Sequence, residues 1–233
     1  MSDADIAFGV HAVRERIAIA ARKAGRDPAA VTLLAATKTT TPEEVVSVVR
    51  AGVGVVGENI VKEMLAKQDA LAGTQVRWDF IGTLQKNKVG KVVGRTALIH
   101  SVDAQALADV IDRRAAAMGI RQQILVEVNT SGEGTKHGFD APALREAVEA
   151  IAGLRHVEVA GAMTMAPPRD SDAARRCFSR LAAITAEPWW PPGATELSMG
   201  MSDDFDIAIE EGATIVRIGS AIFGARCDAG LGA

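Results

Sequence analysis

The chain has 233 residues, of which 48% are hydrophobic and 24% charged, and its formal net charge is −3. That balance suits a globular chain with ample core material and points away from a nucleic-acid or acidic-membrane partner. Cys177 and Cys227 stand far apart with no CxxC or Cys/His spacing around them. Neither a disulfide scaffold nor a zinc site is expected, and a reducing cytoplasm fits better.

The N-terminal stretch MSDADIAFGVHAVRERIAIAARKAG carries charges through its apolar positions, so it reads as an amphipathic helix and not a signal peptide. No run approaches the ~18 apolar residues of a membrane span. From about residue 31, short apolar runs alternate with longer helical stretches. The runs are VTLLAATK (31–38), VGVVG (53–57), VRWDFIG (76–82), ALIHSVD (97–103), QQILVEVN (122–129), VEVAGAMTM (157–165), TELSMG (195–200) and TIVRIGS (214–220). Each is too continuously apolar for a one-sided surface strand and suits a parallel strand buried on both faces. Thr41-Pro42-Glu43-Glu44 opens one intervening helix with a cap residue, a first-turn proline and acids near the positive end. Ser202-Asp203-Asp204 opens another in the same manner.

Alternating strands and helices leave an open doubly wound sheet or a closed barrel. The count of eight favours a (β/α)₈ TIM-type barrel, with the extra N-terminal helix covering its bottom or side. No Pro/Gly/Ser-rich linker interrupts the chain, so residues 1–233 are expected to form a single domain. The stretch Pro188-Trp189-Trp190-Pro191-Pro192-Gly193 reads as a rigid loop with its tryptophans packed beneath it.

In a barrel, the carboxyl ends of the strands face the active-site mouth. Lys38 ends a run of apolar and hydroxyl residues there. From position alone, a lysine snorkelling into water and a functional amine are equally admissible; partial desolvation would free the amine to form a Schiff base. In the last strand, Gly219 lets backbone N–H groups approach an anion and Ser220 offers a hydroxyl, ahead of a short helix. Ser198, Gly200 and Ser202 add small or hydroxyl residues on the seventh strand, although either turn alone is ordinary loop chemistry. Arg217 sits within an apolar run and needs a partner, since an unpaired buried ion is costly. Asp103, Glu127 or an aromatic nitrogen of a cofactor could serve. Lys38, a phosphate nest and a buried arginine at one mouth outline a pyridoxal 5′-phosphate (PLP) pocket.

Other features read as bland. Gly52-Val53-Gly54-Val55-Val56-Gly57 matches GxGxxG, but it follows a helix and contains the strand, the reverse of a dinucleotide fingerprint. Lys86, Lys88, Lys91 and Arg95 read as a solvated helix face, with anion recruitment to the mouth as the alternative. His100, His137 and His156 show no metal-ligand spacing, and the sequon Asn129-Thr130-Ser131 has no secretory context.

The motifs LLAATKT around Lys38, VGENIVKE (56–63), FIGTLQKNK (80–88), VEVNTSGEGTKHGF (126–139), GAMTM (161–165), ELSMGMSDD (196–204) and VRIGSAIFGAR (216–226) resemble those of the pyridoxal-phosphate homeostasis proteins. This family was once named after proline synthetase co-transcription, and the likeness spans nearly the full length. It implies that Lys38 is the Schiff-base lysine and that Arg217 faces the pyridine nitrogen. It also implies that Ser198, Gly219 and Ser220 hold the phosphate while Asn59 and Met163 line the ring. The chain departs from the family at Asp79, where His is usual, at Lys62, where Gln is common, and at Ser220, where Thr is frequent. None of these touches the implied imine.

The family is similar to the barrel half of fold-type III PLP enzymes, the alanine racemase group, which makes an amino-acid racemase the rival reading. The chain has no Tyr at all, whereas racemases of that type pair a Lys with a Tyr, and their second domain is missing. An arginine at the pyridine nitrogen also disfavours its protonation and weakens the ring as an electron sink. The expectation is therefore a cytoplasmic PLP-binding regulatory protein, buffering the cofactor or delivering it to PLP-dependent apoenzymes without turnover of its own. Lys136 reads as a solvated loop lysine, with a second amine at the mouth as the alternative. No heptad or large exposed apolar helix argues for an obligate dimer, so a monomer is expected.

Overall fold

The computed structural model describes residues 1–132 and 137–224. Eight parallel strands close into a barrel in chain order. They are β1 (Thr32–Ala36), β2 (Val55–Glu58), β3 (Arg77–Phe80), β4 (Leu98–Val102), β5 (Gln122–Glu127), β6 (Val157–Met163), β7 (Glu196–Ser198) and β8 (Ile215–Ile218). Seven lie inside the expected apolar runs, and β2 extends its run (53–57) by one residue, to Glu58. The barrel closes where Leu34 pairs with Arg217 across β1 and β8. The last three residues of the GxGxxG match, Val55–Gly57, lie in β2, which removes any phosphate-turn role for it.

Helices α1 (Asp3–Lys23), α2 (Pro42–Arg50), α3 (Val61–Ala70), α4 (Gln105–Met118), α5 (Ala141–Ala152), α6 (Ser171–Thr185), α7 (Phe205–Glu210) and α8 (Ser220–Phe223) accompany the strands. α2 begins at the expected signal, with Thr41 and Glu44 forming a capping box and Pro42 in the first turn. The segment between β3 and β4 departs from expectation: Lys86–Lys91 forms a 3₁₀ helix and not an α-helix face. α1 lies on the side of the barrel, against α2, α7 and α8. Its buried stripe Ile6, Val10, Val13, Ile17 and Ala21 screens the barrel wall where α8 has only one turn.

The inside of the barrel is filled by Leu34, Leu98, Leu125, Met163 and Ile215, while the larger apolar clusters lie between strands and helices. Trp190 is buried and donates its indole N–H to the Ala194 carbonyl at 2.8 Å, so the Pro188–Gly193 loop packs over it as expected. Cys177 is buried on α6; Cys227 and Lys136 lie outside the described residues. Among those residues, no helix is long and apolar enough to cross a membrane.

Candidate cofactor site at the barrel mouth

A cavity of about 550 Å³ opens at the carboxyl ends of the strands, within the range of small-molecule sites. Lys38, Asn59, Arg217, Gly219 and Ser220 all line it, joined by Ser202. These residues are distant in sequence, and the closure of β8 onto β1, which pairs on its other side with β2, brings them together. Asn59 follows β2 by one residue, and its backbone is crossed closely by the chain leaving β3. A Cβ on Gly82 would lie 2.1 Å from the Asn59 carbonyl oxygen, so only glycine permits that crossing. Ser202 accepts a hydrogen bond from the Ala221 N–H at 3.2 Å, so β7's loop is tied to the first turn of α8.

The loop that carries Lys38 is held from behind. Lys67 on α3 is buried and donates to the Thr37 carbonyl and to the Glu58 carboxylate, each at 2.6 Å. The Thr37 hydroxyl donates to the same Glu58 oxygen at 2.6 Å. One residue beyond Lys38, the Thr39 N–H donates to Glu63 at 3.0 Å. Thr39 has φ +61°, a left-handed conformation that is strained for a β-branched residue. Lys38 itself is exposed, so the clamp fixes its backbone and leaves its amine in the cavity.

Arg217 is buried inside the barrel, and its direct partners are neutral. Its Nη1 donates to the Ser198 hydroxyl at 2.6 Å and its Nη2 to the Thr164 carbonyl at 3.0 Å. Among the described residues, no carboxylate is in direct contact with it: Glu127, one of the partners the sequence allowed, and Asp204 support the cation only through space. Burial pulls the Arg217 pKa down to about 10, which leaves the group charged at neutral pH. Ser198 also meets His100 Nδ1, 2.9 Å away, and donates to it when the imidazole is neutral with its proton on Nε2. His100 Nε2 then faces the Asp79 carboxylate at 3.2 Å, and Arg77 binds both Asp79 oxygens at 2.9 Å. Burial lowers the His100 pKa, which matches the neutral ring that this direction of donation requires.

The comparisons with known proteins come to bear on this geometry. Residues 10–227 match the family described as alanine racemase, N-terminal domain. A pyridoxal phosphate homeostasis protein of Aquifex aeolicus is 44% identical over 217 residues, spanning 92% of this chain and 95% of that one. The chain belongs to the pyridoxal phosphate homeostasis protein family. Of solved structures, an unknown protein from Bifidobacterium adolescentis matches with TM-score 0.87 at 40% identity, covering 95% of each chain. PipY of Synechococcus elongatus PCC7942, solved with PLP bound, matches with TM-score 0.82 at 32% identity over 94% of this chain and 100% of that one. The alanine racemase of Corynebacterium glutamicum, at 16% identity and TM-score 0.67, shares the fold alone, and this chain covers 63% of its length.

Two of the residues that the family resemblance assigns stand off the cavity wall. Ser198, expected at the phosphate, lies in the barrel interior between Arg217 and His100. Met163, expected at the ring, packs in the barrel core with Leu34 and Leu125, and Met165 two residues on reaches the cavity in its place. The period of two along a strand explains the first: Ser198 points inward, whereas Ser202 lies past the strand end, in the loop. Asp79 and His100 read as a departure and a bland histidine in sequence. Both are wholly buried parts of the chain that holds Arg217. The signal that could have found them is a polar residue at an inward position of each of three strands.

Proposed function

We propose that this chain carries PLP as a Schiff base on Lys38 and acts in cytoplasmic PLP homeostasis, buffering the cofactor or delivering it to apoenzymes, as a monomer and without turnover of its own. The observation that carries the reading is the convergence of one primary amine, one buried guanidinium, an amide and the Ser202 and Ser220 hydroxyls on a single cavity. This donor set fits the cofactor. The aldehyde of PLP condenses with a primary amine, forming a C=N bond as water leaves, and the bond exchanges readily with another amine. Lys38 supplies that amine from a clamped backbone. Arg217 holds a fixed positive edge where a pyridine nitrogen accepts a hydrogen bond. Ser202, its oxygen already engaged by Ala221, keeps its hydroxyl proton to donate to a phosphate, with Ser220 and Gly219 beside it. Family membership supports the reading, as does the PLP bound in PipY. A racemase reading finds no support in a chain without Tyr.

The test is the visible spectrum of the purified protein before and after borohydride, followed by peptide mass mapping. A yellow band abolished by borohydride, with the pyridoxyl mass on Lys38, is the expected result. Lys38→Ala should lose both while its unfolding free energy stays within about 0.5 kcal/mol of the parent, because the side chain is exposed. A protein that stays colourless with added PLP would overturn the assignment. Lys38-dependent α-proton exchange of amino acids in deuterated water would overturn the absence of turnover.

A further inference from the structure

A second hollow, of about 470 Å³, adjoins the Lys38 cavity, and Asn59 lines both. Its apolar bed is built from Val61 and Leu65 on α3 and Phe80 at the end of β3. Three exposed ammonium groups border it: Lys62 from the first turn of α3, and Lys88 and Lys91 from the 3₁₀ helix. No carboxylate lines the hollow, and among the described residues none of the three lysines has an acidic partner. Solvated lysines usually scatter among acids; three unneutralised cations around one concavity raise its local potential and lower the cost of an anion there. The 3₁₀ geometry contributes, because its tighter winding sets Lys88 and Lys91, three apart, on one edge. α3 adds a first turn with no side-chain cap on its amides.

An apolar bed with a cationic border selects an anion that is also flat and apolar. Its size suits a small molecule, and the overall charge of −3 makes the chain a poor polyanion binder. We propose that this hollow is a second, non-covalent site for an aromatic phosphate ester, its ring on Val61, Leu65 and Phe80 and its phosphate among Lys62, Lys88 and Lys91. A phosphate monoester carries close to two negative charges at neutral pH, which three lysines match. The site lies outside the Lys38 cavity and stands whether or not Lys38 forms an imine. That its natural occupant is a form of the same cofactor, staged beside Lys38 across Asn59, rests on the proposed function.

The experiment first blocks the Lys38 cavity by borohydride reduction with limiting PLP, and isolates the singly modified protein with the adduct located by mass. An adduct located elsewhere would count against the Lys38 assignment and not against this inference. The blocked protein is then titrated calorimetrically with pyridoxine 5′-phosphate, which has no aldehyde and cannot react with lysines. The expected result is one saturable equivalent, weakened about tenfold or more in Lys88→Ala/Lys91→Ala and again, separately, in Lys62→Glu. Inorganic phosphate should bind more weakly than the ester. Absence of saturable binding, binding untouched by both variants, phosphate binding as tight as the ester, or preferential capture of an acidic peptide would each overturn the proposal.

Discussion

The Arg217 guanidinium donates to the Ser198 hydroxyl at 2.6 Å inside the barrel, at one end of a continuous chain of buried polar groups. The Asp79 carboxylate only accepts, so it takes the His100 Nε2–H, and the neutral ring's Nδ1 then accepts the serine's proton. The result is a directional chain from β8 through β7 and β4 to β3, ending on Arg77. Its effect at the mouth is to hold a charged group that desolvation opposes, without neutralising it by direct contact with a carboxylate.

Ser198→Ala breaks this chain at its centre. It leaves Arg217 Nη1 and His100 Nδ1 buried without their partner, and each unmatched group costs on the order of 1–3 kcal/mol. Denaturant unfolding should show a loss in that range, and the absorbance maximum of the PLP-loaded protein should shift as Arg217 loses its fixed position. Unchanged stability together with an unchanged spectrum would show that Ser198 does not hold the arginine.

The Lys67–Glu58 pair is buried at both ends, and Glu58 Oε2 has no hydrogen-bond partner. Removing only the cation, as in Lys67→Met, strands a buried carboxylate and should cost about 3–5 kcal/mol. The double change Lys67→Met/Glu58→Leu removes both charges and should be less damaging than the single one. Thermal melts of the four proteins in the cycle measure the coupling. The single variant should also load PLP more weakly, because the Thr37 carbonyl behind Lys38 loses its anchor.

Glu127 is buried at the carboxyl end of β5, and burial, reinforced by the Asp103 charge, raises its pKa to about 7. His137 and Arg217 pull in the other direction but do not prevail. A carboxyl whose folded pKa exceeds its unfolded value of 4.5 takes up a proton on folding. Its contribution to stability therefore falls as pH rises from 4.5 to about 7, and above that the full penalty of about 3 kcal/mol applies. Glu127→Gln should flatten this part of the pH–stability curve and stabilise the protein at pH near 8, with little effect near pH 4. Equal slopes for parent and variant between pH 5 and 7 would place the titration elsewhere.

The mouth of the barrel could be read from the chain only in part. Lys38, Asn59, Gly219 and Ser220 were legible because each follows the end of an apolar run, and strand ends define the mouth. Arg217 stood out as a charge inside such a run. Ser198 and Met163 lie a layer below the cavity wall, and the later members of their motifs, Ser202 and Met165, are the ones that clear the strand. Asp79 and His100 gave no local signal, since an inward polar residue in one strand has meaning only beside its partners in the next. The lysines at 86, 88 and 91 read as a helix face, whereas the chain between β3 and β4 takes a 3₁₀ turn that sets two of them around a cavity.

The sequence by itself determined the elements and their order. Periodicity, caps and run length are local, and eight buried strands alternating with helices have few ways to close. Tertiary structure alone decided which side chains meet. Barrel tilt and register join β8 to β1 and set β3, β4, β7 and β8 around one interior, and the linking of Asp79 to Arg217, 138 positions apart, through two intermediaries follows from that closure and from no local pattern.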